Sequence, residues 1–157
     1  MPLLDYLRGK DVAFITHWHP SHQNPGDRLL REAARQLFCK AGVTVRAEVT
    51  GDTVQPVRLE LEPATTLVIC GGGNLGGYHY PEDGTLGLRV ADLYPEHRVV
   101  VLPQTYVTPW DAEGRKLADR VLGRSNVDVW LRDGASWYYF NQDYHKGWVE
   151  PDTVMDH

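Results

Sequence analysis

The sequence predicts an α/β domain, namely a three-layer Rossmann-like open parallel sheet of five to six strands with helices on both faces. Short β-rich runs alternate along the chain with stretches that repeat apolar residues at helical spacing, which is the pattern of a parallel sheet covered by helices. Glycine-rich or polar clusters follow four of these runs. With 157 residues, of which 42% are hydrophobic and 24% charged, the composition fits one globular domain spanning residues 1–157.

The individual elements follow from periodicity and from their end signals. Strands are predicted at residues 12–17, 43–49, 66–70, 98–102 and 127–131, with a sixth starting near Trp148 and Val149. A helix over residues 27–40 ends at Gly42, and one over residues 111–122 ends at Gly123. Residues 85–94 and 135–141 are weaker helix candidates.

Charge and composition exclude several classes of protein. The chain has 16 Lys and Arg against 21 Asp and Glu, a net charge of −5, and lacks the basic run that a nucleic-acid binder needs. No apolar run approaches the roughly 20 residues of a membrane span, and the first residues do not form a signal peptide. A cytoplasmic location is therefore expected, with Cys39 and Cys70 as reduced, buried side chains.

The clusters after the strands point to one edge of the sheet. Open parallel sheets bind ligands beyond the carboxyl ends of their strands. Residues 17–27, 71–77, 103–105 and 132–136 follow the first, third, fourth and fifth predicted strands. The sequence thus predicts a binding site made of loops at this edge.

The segment Gly71-Gly72-Gly73-Asn74-Leu75-Gly76-Gly77 has the glycines of a loop whose backbone approaches a ligand closely. It contains GxGxxG, but residues 78–81 interrupt any following helix and the next strand lacks a terminal acidic residue, which argues against dinucleotide binding. No Lys-Ser or Lys-Thr follows, so it is not a Walker loop either. The alternative is a turn with no ligand.

His17, His19 and His22 form an HxHxxH pattern similar to that of zinc hydrolases of the metallo-β-lactamase fold. Ser21 stands where that family has Asp, and no other histidine has a matching context. The three imidazoles are therefore either a metal site or solvated surface groups.

The segment Asn24-Pro25-Gly26-Asp27 opens the first long helix. Asn24 and Asp27 suit simple capping of the helix. The same position suits binding of an anionic group and a carboxylate that orients or deprotonates a hydroxyl.

Arg132-Asp133 with Ser136 allows the same two interpretations. Asp133 and Ser136 can cap a helix, while Arg132 either pairs with a surface carboxylate or binds a carboxylate or phosphate through its guanidinium. Aromatic residues in the predicted loops either cover the core or stack on sugar rings: Trp18, Tyr78, Tyr80 and Trp110.

Together these segments resemble the polysaccharide pyruvyl transferase family. The resemblance rests on four motifs in order: Asn24-Pro25-Gly26-Asp27 with Leu29 and Leu30; residues 67–76 (LVICGGGNLG); residues 99–105 (VVVLPQT); and residues 131–133 with Ser136, followed by Glu150-Pro151-Asp152. Members resemble two-domain GT-B glycosyltransferases and transfer the enolpyruvyl group of phosphoenolpyruvate to sugar hydroxyls, which gives a pyruvate ketal. This chain corresponds to the N-terminal half, whereas members continue into a second domain that supplies much of the basic donor pocket.

The resemblance implies roles for individual residues. Asp27 is the expected base, with His22 or His19 as the alternate, and Arg132 the expected anion-binding cation. The remaining expected contacts to substrate are Asn24, Gly26, Gly71, Gly72, Gly73, Asn74, Gln104, Thr105, Asp133 and Ser136. The scheme needs phosphoenolpyruvate as donor substrate, a sugar or glycan-precursor acceptor, and neither a metal nor another cofactor. A homodimer or a companion chain would complete the site.

Two rival functions stay open. One is a non-catalytic domain of the same fold that binds carbohydrate or nucleotide-sugar. The other is a metal-dependent hydrolase centred on the histidine cluster.

Overall fold

A computed structural model describes residues 1–16, 24–50, 59–75, 81–106 and 111–149 of the chain. The elements in this part are α1 (Leu3–Leu7), β1 (Asp11–Ile15), α2 (Pro25–Ala41), β2 (Thr44–Val49), β3 (Thr66–Ile69), β4 (Gly72–Leu75), α3 (Pro81–Leu93), β5 (Val99–Tyr106), α4 (Ala112–Leu122), β6 (Val127–Leu131), α5 (Gly134–Tyr144) and β7 (Gly147–Val149).

The strands form one parallel sheet in the order β2-β1-β3-β5-β6-β7. β4 also pairs in parallel with β5, along the part of β5 that lies beyond its pairing with β3. The sheet therefore has six strand positions, and the predicted open parallel sheet is confirmed.

Helices cover both faces of the sheet, as predicted. Leu7 of α1 and Phe38 of α2 pack with Phe14 and Trp130 in a core on one face. Residues of α3, α4 and α5 pack in a second core with the alternate strand residues, among them Ile15 and Leu131. Successive strand residues point to opposite faces, so strands with two apolar faces produce three layers.

Two strands extend into segments that were predicted as loops. β4 forms inside the glycine-rich segment, and β5 continues through Pro103, Gln104 and Thr105 to Tyr106. Proline lacks the N–H that a strand donates, but the pairing of β5 with β6 shifts register between Val101 and Gln104, which accommodates Pro103. Gly72, Gly73, Asn74, Gln104 and Thr105 therefore lie in strands rather than in loops.

The helix ends agree with the capping signals in the sequence. The Asp111 side chain accepts a hydrogen bond from the Gly114 N–H, and Gly42 ends α2 at φ 65°, which favours glycine. α3 begins at Pro81, a residue that the first position of a helix tolerates. The predicted start at residue 85 is therefore four residues late, and the short α1 has no counterpart among the predicted helices.

The two cysteines differ in their surroundings. Cys70 is buried at the end of β3, as expected, whereas Cys39 on α2 is exposed. The prediction of burial was wrong for Cys39 because it falls on the solvent side of its helix, next to the buried Phe38.

None of the described helices has the length and hydropathy to cross a bilayer.

Candidate functional site

The order of the strands creates a crevice at the carboxyl edge of the sheet. The chain runs from β1 outward to β2 and then returns to β3 on the other side of β1. At such a topological switch point the following helices lie on opposite faces, and ligands bind between them. Thr16 and Cys70 come directly after the two strands that flank this point, and α2 begins nearby at Pro25.

The start of α2 contributes the first polar groups. Asn24 is the N-cap of α2, and its side-chain oxygen accepts a hydrogen bond from the Gly26 N–H at 3.0 Å. Asp27 lies in the first turn. Asn24 therefore has the capping geometry that the sequence indicated, while its predicted contact with substrate stays a prediction.

The thiol of Cys70 is buried and interacts electrostatically with charged side chains of α2 and β2. Burial raises the pKa of Cys70 to about 11, and the hydrogen bond with Thr16 opposes the rise. The charges of Asp27, Arg31 and Glu48 also act on this thiol. The first turns of α2 and the end of β2 are therefore close enough for their charges to act at the end of β3, although β1 lies between β2 and β3.

Glu48 on β2 ties α2 to the sheet. Its carboxylate accepts a hydrogen bond from Arg31 Nε at 2.6 Å and one from Arg35 Nη2 at 2.5 Å. Burial alone would raise the pKa of Glu48, but the hydrogen bonds and positive charges of the two arginines outweigh it and lower the pKa. Glu48 therefore holds the helix that carries Asp27.

The Glu48 ion pairs predict a pH dependence of stability. Because the pKa of Glu48 is lowered in the folded state, its contribution is complete above the pKa of the unfolded chain and is lost as pH falls through the folded value. We expect Glu48→Gln to cost about 1 kcal/mol in urea unfolding at pH 7, and the difference from wild type to shrink below about pH 4.

The control for this measurement is Glu113→Gln, which removes a carboxylate paired with Lys116 on an exposed helix surface. It should leave stability nearly unchanged at both pH values. A Glu48→Gln deficit as large at pH 3 as at pH 7 would show that packing, not charge, is responsible.

Gly71 is required by a close approach between strands. A Cβ atom at this position would lie 2.7 Å from the carbonyl oxygen of Pro103, a backbone atom that cannot move aside freely. The glycine therefore lets the end of β3 approach β5, which supports the structural interpretation of Gly71 without testing its contact with ligand.

This contact predicts a loss of stability in Gly71→Ala. We expect about 1–3 kcal/mol, the range for forced overpacking, measured as the free energy of unfolding in urea. Gly134→Ala is the matched control, because a Cβ at that position of α5 has no atom within 4 Å. Equal stability of the two variants would be inconsistent with the close approach.

Gln104 joins β5 to the end of β3. Its side chain is 5% exposed, and Nε2 donates a hydrogen bond to the Cys70 carbonyl at 2.6 Å. Its Oε1 is buried and has no hydrogen-bond partner among the described residues. A buried acceptor without a donor lowers the stability of the fold, so a donor such as a water or a hydroxyl group is expected to bind at this oxygen.

A second polar group surrounds the start of α5. Asp133 caps the helix by accepting hydrogen bonds from the Ser136 N–H at 2.7 Å and the Ser136 hydroxyl at 2.8 Å. The buried Ser136 oxygen also accepts a hydrogen bond from the Tyr106 N–H at 3.1 Å, and the Thr105 hydroxyl is 3.5 Å from Asp133. Asp133 and Ser136 thus fasten α5 to the end of β5, and their predicted contacts with substrate stay predictions.

The side chain of Arg132 faces solvent. Its N–H donates to the Gln104 carbonyl at 3.1 Å, which fixes the backbone, while the side chain is 51% exposed. The guanidinium lies 3.9 Å from Asp133, at the limit of an ion pair. Such a loosely paired cation is available to a ligand anion.

The structure brings the predicted residues together in two groups. Asn24, Gly26, Asp27 and Gly71 lie at the switch point, whereas Thr105, Arg132, Asp133 and Ser136 lie at the ends of β5 and β6. β6 is two strand positions from β3, about 10 Å at the usual spacing. Gln104 connects the two groups through its bonds to the Cys70 carbonyl and the Arg132 N–H. We call the two groups together with Gln104 the edge site.

Several predicted residues fall outside the described part of the chain: His17, Trp18, His19, His22, Tyr78, Tyr80 and Trp110. Gly73 and Asn74 lie within β4, in which Gly72 pairs with Gln104 and Leu75 with Tyr106. Within the described residues, no three His, Cys, Asp or Glu side chains form a group that could hold a metal ion.

Four residues beside the edge site were not predicted as functional: Thr16, Arg31, Glu48 and Tyr106. Arg31 follows Asp27 by four residues, a spacing that places both on one helix face and could have drawn attention to it. Glu48 has no such signal in the sequence, because it meets Arg31 only through the tertiary packing that brings β2 and α2 together.

An open parallel sheet with polar side chains and a helix N-terminus at its switch point defines a domain of the Rossmann-like class. The chain belongs to the polysaccharide pyruvyl transferase family, whose model matches residues 24–155.

The chain is also similar to a curated relative in sequence and to a solved structure in fold. The chain is 27% identical over 135 residues to a Bacillus subtilis (strain 168) protein named "Putative pyruvyl transferase EpsO", a match that covers 86% of this chain and 41% of that protein. A crystal structure of a functionally uncharacterized Klebsiella pneumoniae protein matches with a TM-score of 0.61 and 16% identity, over 92% of this chain and 50% of that one. The second likeness shows the fold alone, and the chain spans half or less of each relative.

Proposed function

We propose that the edge site takes part in transferring a pyruvyl group from phosphoenolpyruvate to a hydroxyl of a sugar or glycan precursor, forming a pyruvate ketal. One observation carries the proposal beyond family membership. A carboxylate, Asp27, and a loosely paired cation, Arg132, lie at the same edge of the sheet. Transfer from an anionic donor to a hydroxyl needs a group of each kind.

The chemistry proceeds through an oxocarbenium-like centre. Protonation of the methylene carbon of phosphoenolpyruvate makes a methyl group and leaves positive charge on the adjacent carbon. A sugar hydroxyl adds there and loses its proton, and the phosphate then leaves with the electrons of its C–O bond. A second hydroxyl of the sugar adds in the same way, which gives the ketal and inorganic phosphate.

Asp27 is the proposed base for the attacking hydroxyl. It lies in the first turn of α2, where the helix dipole stabilises negative charge. Glu48 holds this helix through Arg31 and Arg35, so the carboxylate is on a rigid element. His22, and then His19, are the alternates for this role.

Arg132 is the proposed binding group for the donor's carboxylate or phosphate. A guanidinium forms two parallel hydrogen bonds to such a group. Its backbone is held by the Gln104 carbonyl, while its side chain is open to solvent. In this scheme Gln104 Oε1 accepts a hydrogen bond from a substrate hydroxyl. No step of the scheme requires a metal ion.

A second protomer or a companion chain is proposed to complete the donor pocket. A reaction with a trianionic donor needs more positive charge than Arg132 alone supplies. Light scattering of the purified chain, alone and with phosphoenolpyruvate, would show whether a dimer forms.

The direct test is phosphate release from phosphoenolpyruvate in the presence of a panel of nucleotide-linked and lipid-linked sugars. We expect release that depends on an acceptor and is lost in Arg132→Ala. Binding of a sugar without release, unchanged in Asp27→Ala, would instead support the non-catalytic carbohydrate-binding function. Release that requires added metal would support the histidine-cluster hydrolase.

A further inference from the structure

Ser136 and Arg132 both approach the carboxylate of Asp133. Asp133 Oδ1 accepts a hydrogen bond from the Ser136 N–H at 2.7 Å, and Oδ2 accepts one from the Ser136 hydroxyl at 2.8 Å. The Thr105 hydroxyl lies 3.5 Å from the same Oδ2, and the Arg132 Nε lies 3.9 Å from it. Because this oxygen has two lone pairs, the two hydroxyl groups leave no acceptor position on it for Arg132.

The end of β5 fixes the direction of the Ser136 hydroxyl. Ser136 is 2% exposed, and its Oγ accepts a hydrogen bond from the Tyr106 N–H at 3.1 Å. A backbone N–H can only donate, whereas a serine hydroxyl both accepts and donates one hydrogen of its own. The contact with Tyr106 therefore leaves the hydroxyl hydrogen for Asp133.

The Asp133 carboxylate is thus held by α5 and not by Arg132. A hydrogen bond to a charged group contributes more than an ion pair in solvent, and the side chain of Arg132 is 51% exposed. Turning the carboxylate toward Arg132 would break the bond from the Ser136 hydroxyl, so the ion pair stays long. The positive charge of Arg132 is then only weakly neutralised by its neighbour.

We propose that Ser136 is a positioning residue for anion binding, since its hydroxyl holds the Asp133 carboxylate in the cap of α5 and thereby keeps Arg132 available to the donor. This inference rests on the proposed function, because it takes Arg132 to bind the carboxylate or phosphate of the donor. Without the hydroxyl, Oδ2 accepts from the Arg132 guanidinium instead. An incoming anion then has to displace Asp133 from Arg132.

The first test is titration calorimetry of the full chain with phosphoenolpyruvate. We expect Ser136→Ala to weaken binding about threefold to fivefold, the range of an exposed ion pair that the ligand must open. Ser136→Thr keeps the hydroxyl and should bind as wild type does. Circular dichroism of each variant checks that the fold is retained.

The second test asks whether the effect of Ser136 passes through Asp133. Asn at position 133 keeps an oxygen that caps the helix but carries no charge, so Asp133→Asn should bind phosphoenolpyruvate about threefold more tightly than wild type. In that background Ser136→Ala should change the affinity by less than about 1.5-fold, because no carboxylate is left for Arg132. A purely structural role of Ser136 would weaken binding equally in both backgrounds.

A third readout needs no ligand. Hydrogen exchange of the Arg132 Nε–H can be followed by NMR, with the resonance identified by its absence in Arg132→Ala. We expect this hydrogen to exchange about threefold to fivefold more slowly in Ser136→Ala than in wild type, because the closed ion pair protects it.

Thr66→Val is the matched control. Thr66 is 4% exposed and begins β3, at the opposite edge of the sheet from Ser136. The substitution removes a buried hydroxyl of the same kind, so it controls for a general loss of stability. Both phosphoenolpyruvate binding and the exchange of the Arg132 Nε–H should match those of wild type.

Two results would overturn the inference. One is that Ser136→Ala changes neither phosphoenolpyruvate binding nor the exchange of the Arg132 Nε–H. The other is that Ser136→Ala weakens binding as much in the Asp133→Asn background as in wild type.

Phosphate release separates this proposal from the proposed function. Slower exchange of the Arg132 Nε–H in Ser136→Ala, with no acceptor-dependent release in wild type, would leave the role of Ser136 and overturn the transferase. Release that is lost in Arg132→Ala, with kcat/KM for phosphoenolpyruvate unaffected by Ser136→Ala, would do the reverse.

Discussion

Asp27→Asn is expected to lower the rate of acceptor-dependent phosphate release by at least about 100-fold, because a positioned general base contributes that much or more. The substitution keeps the size of the side chain and its place in the first turn of α2. It removes the negative charge and with it the ability to accept a proton from the attacking hydroxyl. The measurement is steady-state release of phosphate over a range of acceptor concentrations, with kcat and KM determined separately.

The control for Asp27→Asn is Glu113→Gln, which neutralises an acidic residue in the first turn of α4. Both substitutions weaken a favourable charge at a helix N-terminus, so both should lose a similar small amount of stability. The Glu113 variant should keep full turnover. If Asp27→Asn also kept it, Asp27 would not be the base, and His22→Ala would be the next variant to measure.

Arg132→Ala is expected to reduce kcat/KM for phosphoenolpyruvate about 100-fold, the order of a lost charged contact to an anionic substrate. Because the side chain is 51% exposed and reaches only 3.9 Å from Asp133, its removal should leave the unfolding free energy almost unchanged. Arg132→Lys should recover part of the activity, since an ammonium keeps the charge but not the two parallel hydrogen bonds.

Arg46→Ala is the matched control for Arg132. Arg46 is also an exposed arginine, with 57% of its side chain accessible; it lies on the edge strand β2 and pairs with Asp11 of β1. Its loss removes the same formal charge far from α5. If the two alanine variants lost activity equally, the effect would be one of net charge rather than of a contact made by Arg132.

Most of the fold could be predicted from local patterns. The apolar runs at β1, β3, β5 and β6 and the periodic helices α2 and α4 appear in the sequence because each element must bury its own faces. The elements that were missed or shortened carry weak local signals. β4 is a glycine-rich tetrapeptide, and β5 continues through a proline, so both depend on pairing with neighbouring strands.

The sequence also identified the segments of the edge site but not the interactions within them. Asn24 and Asp133 were recognised as possible caps because capping is local. The bond from Gln104 to Cys70 and the clamp of Glu48 on Arg31 join residues far apart in the chain. No periodicity or spacing reports such contacts.

The sequence by itself determined the class of the fold, the parallel direction of the strands and the order of the four motifs, because burial, capping and chain connectivity act over short distances. The tertiary structure alone decided which motifs meet. By placing β3 and β5 between β1 and β6, the sheet separates the start of α2 from Arg132, and Gln104 of β5 bonds both to Cys70 after β3 and to the Arg132 backbone. That arrangement depends on helices packing on both faces of the sheet at once, and the sequence of a single segment contains no information about such packing.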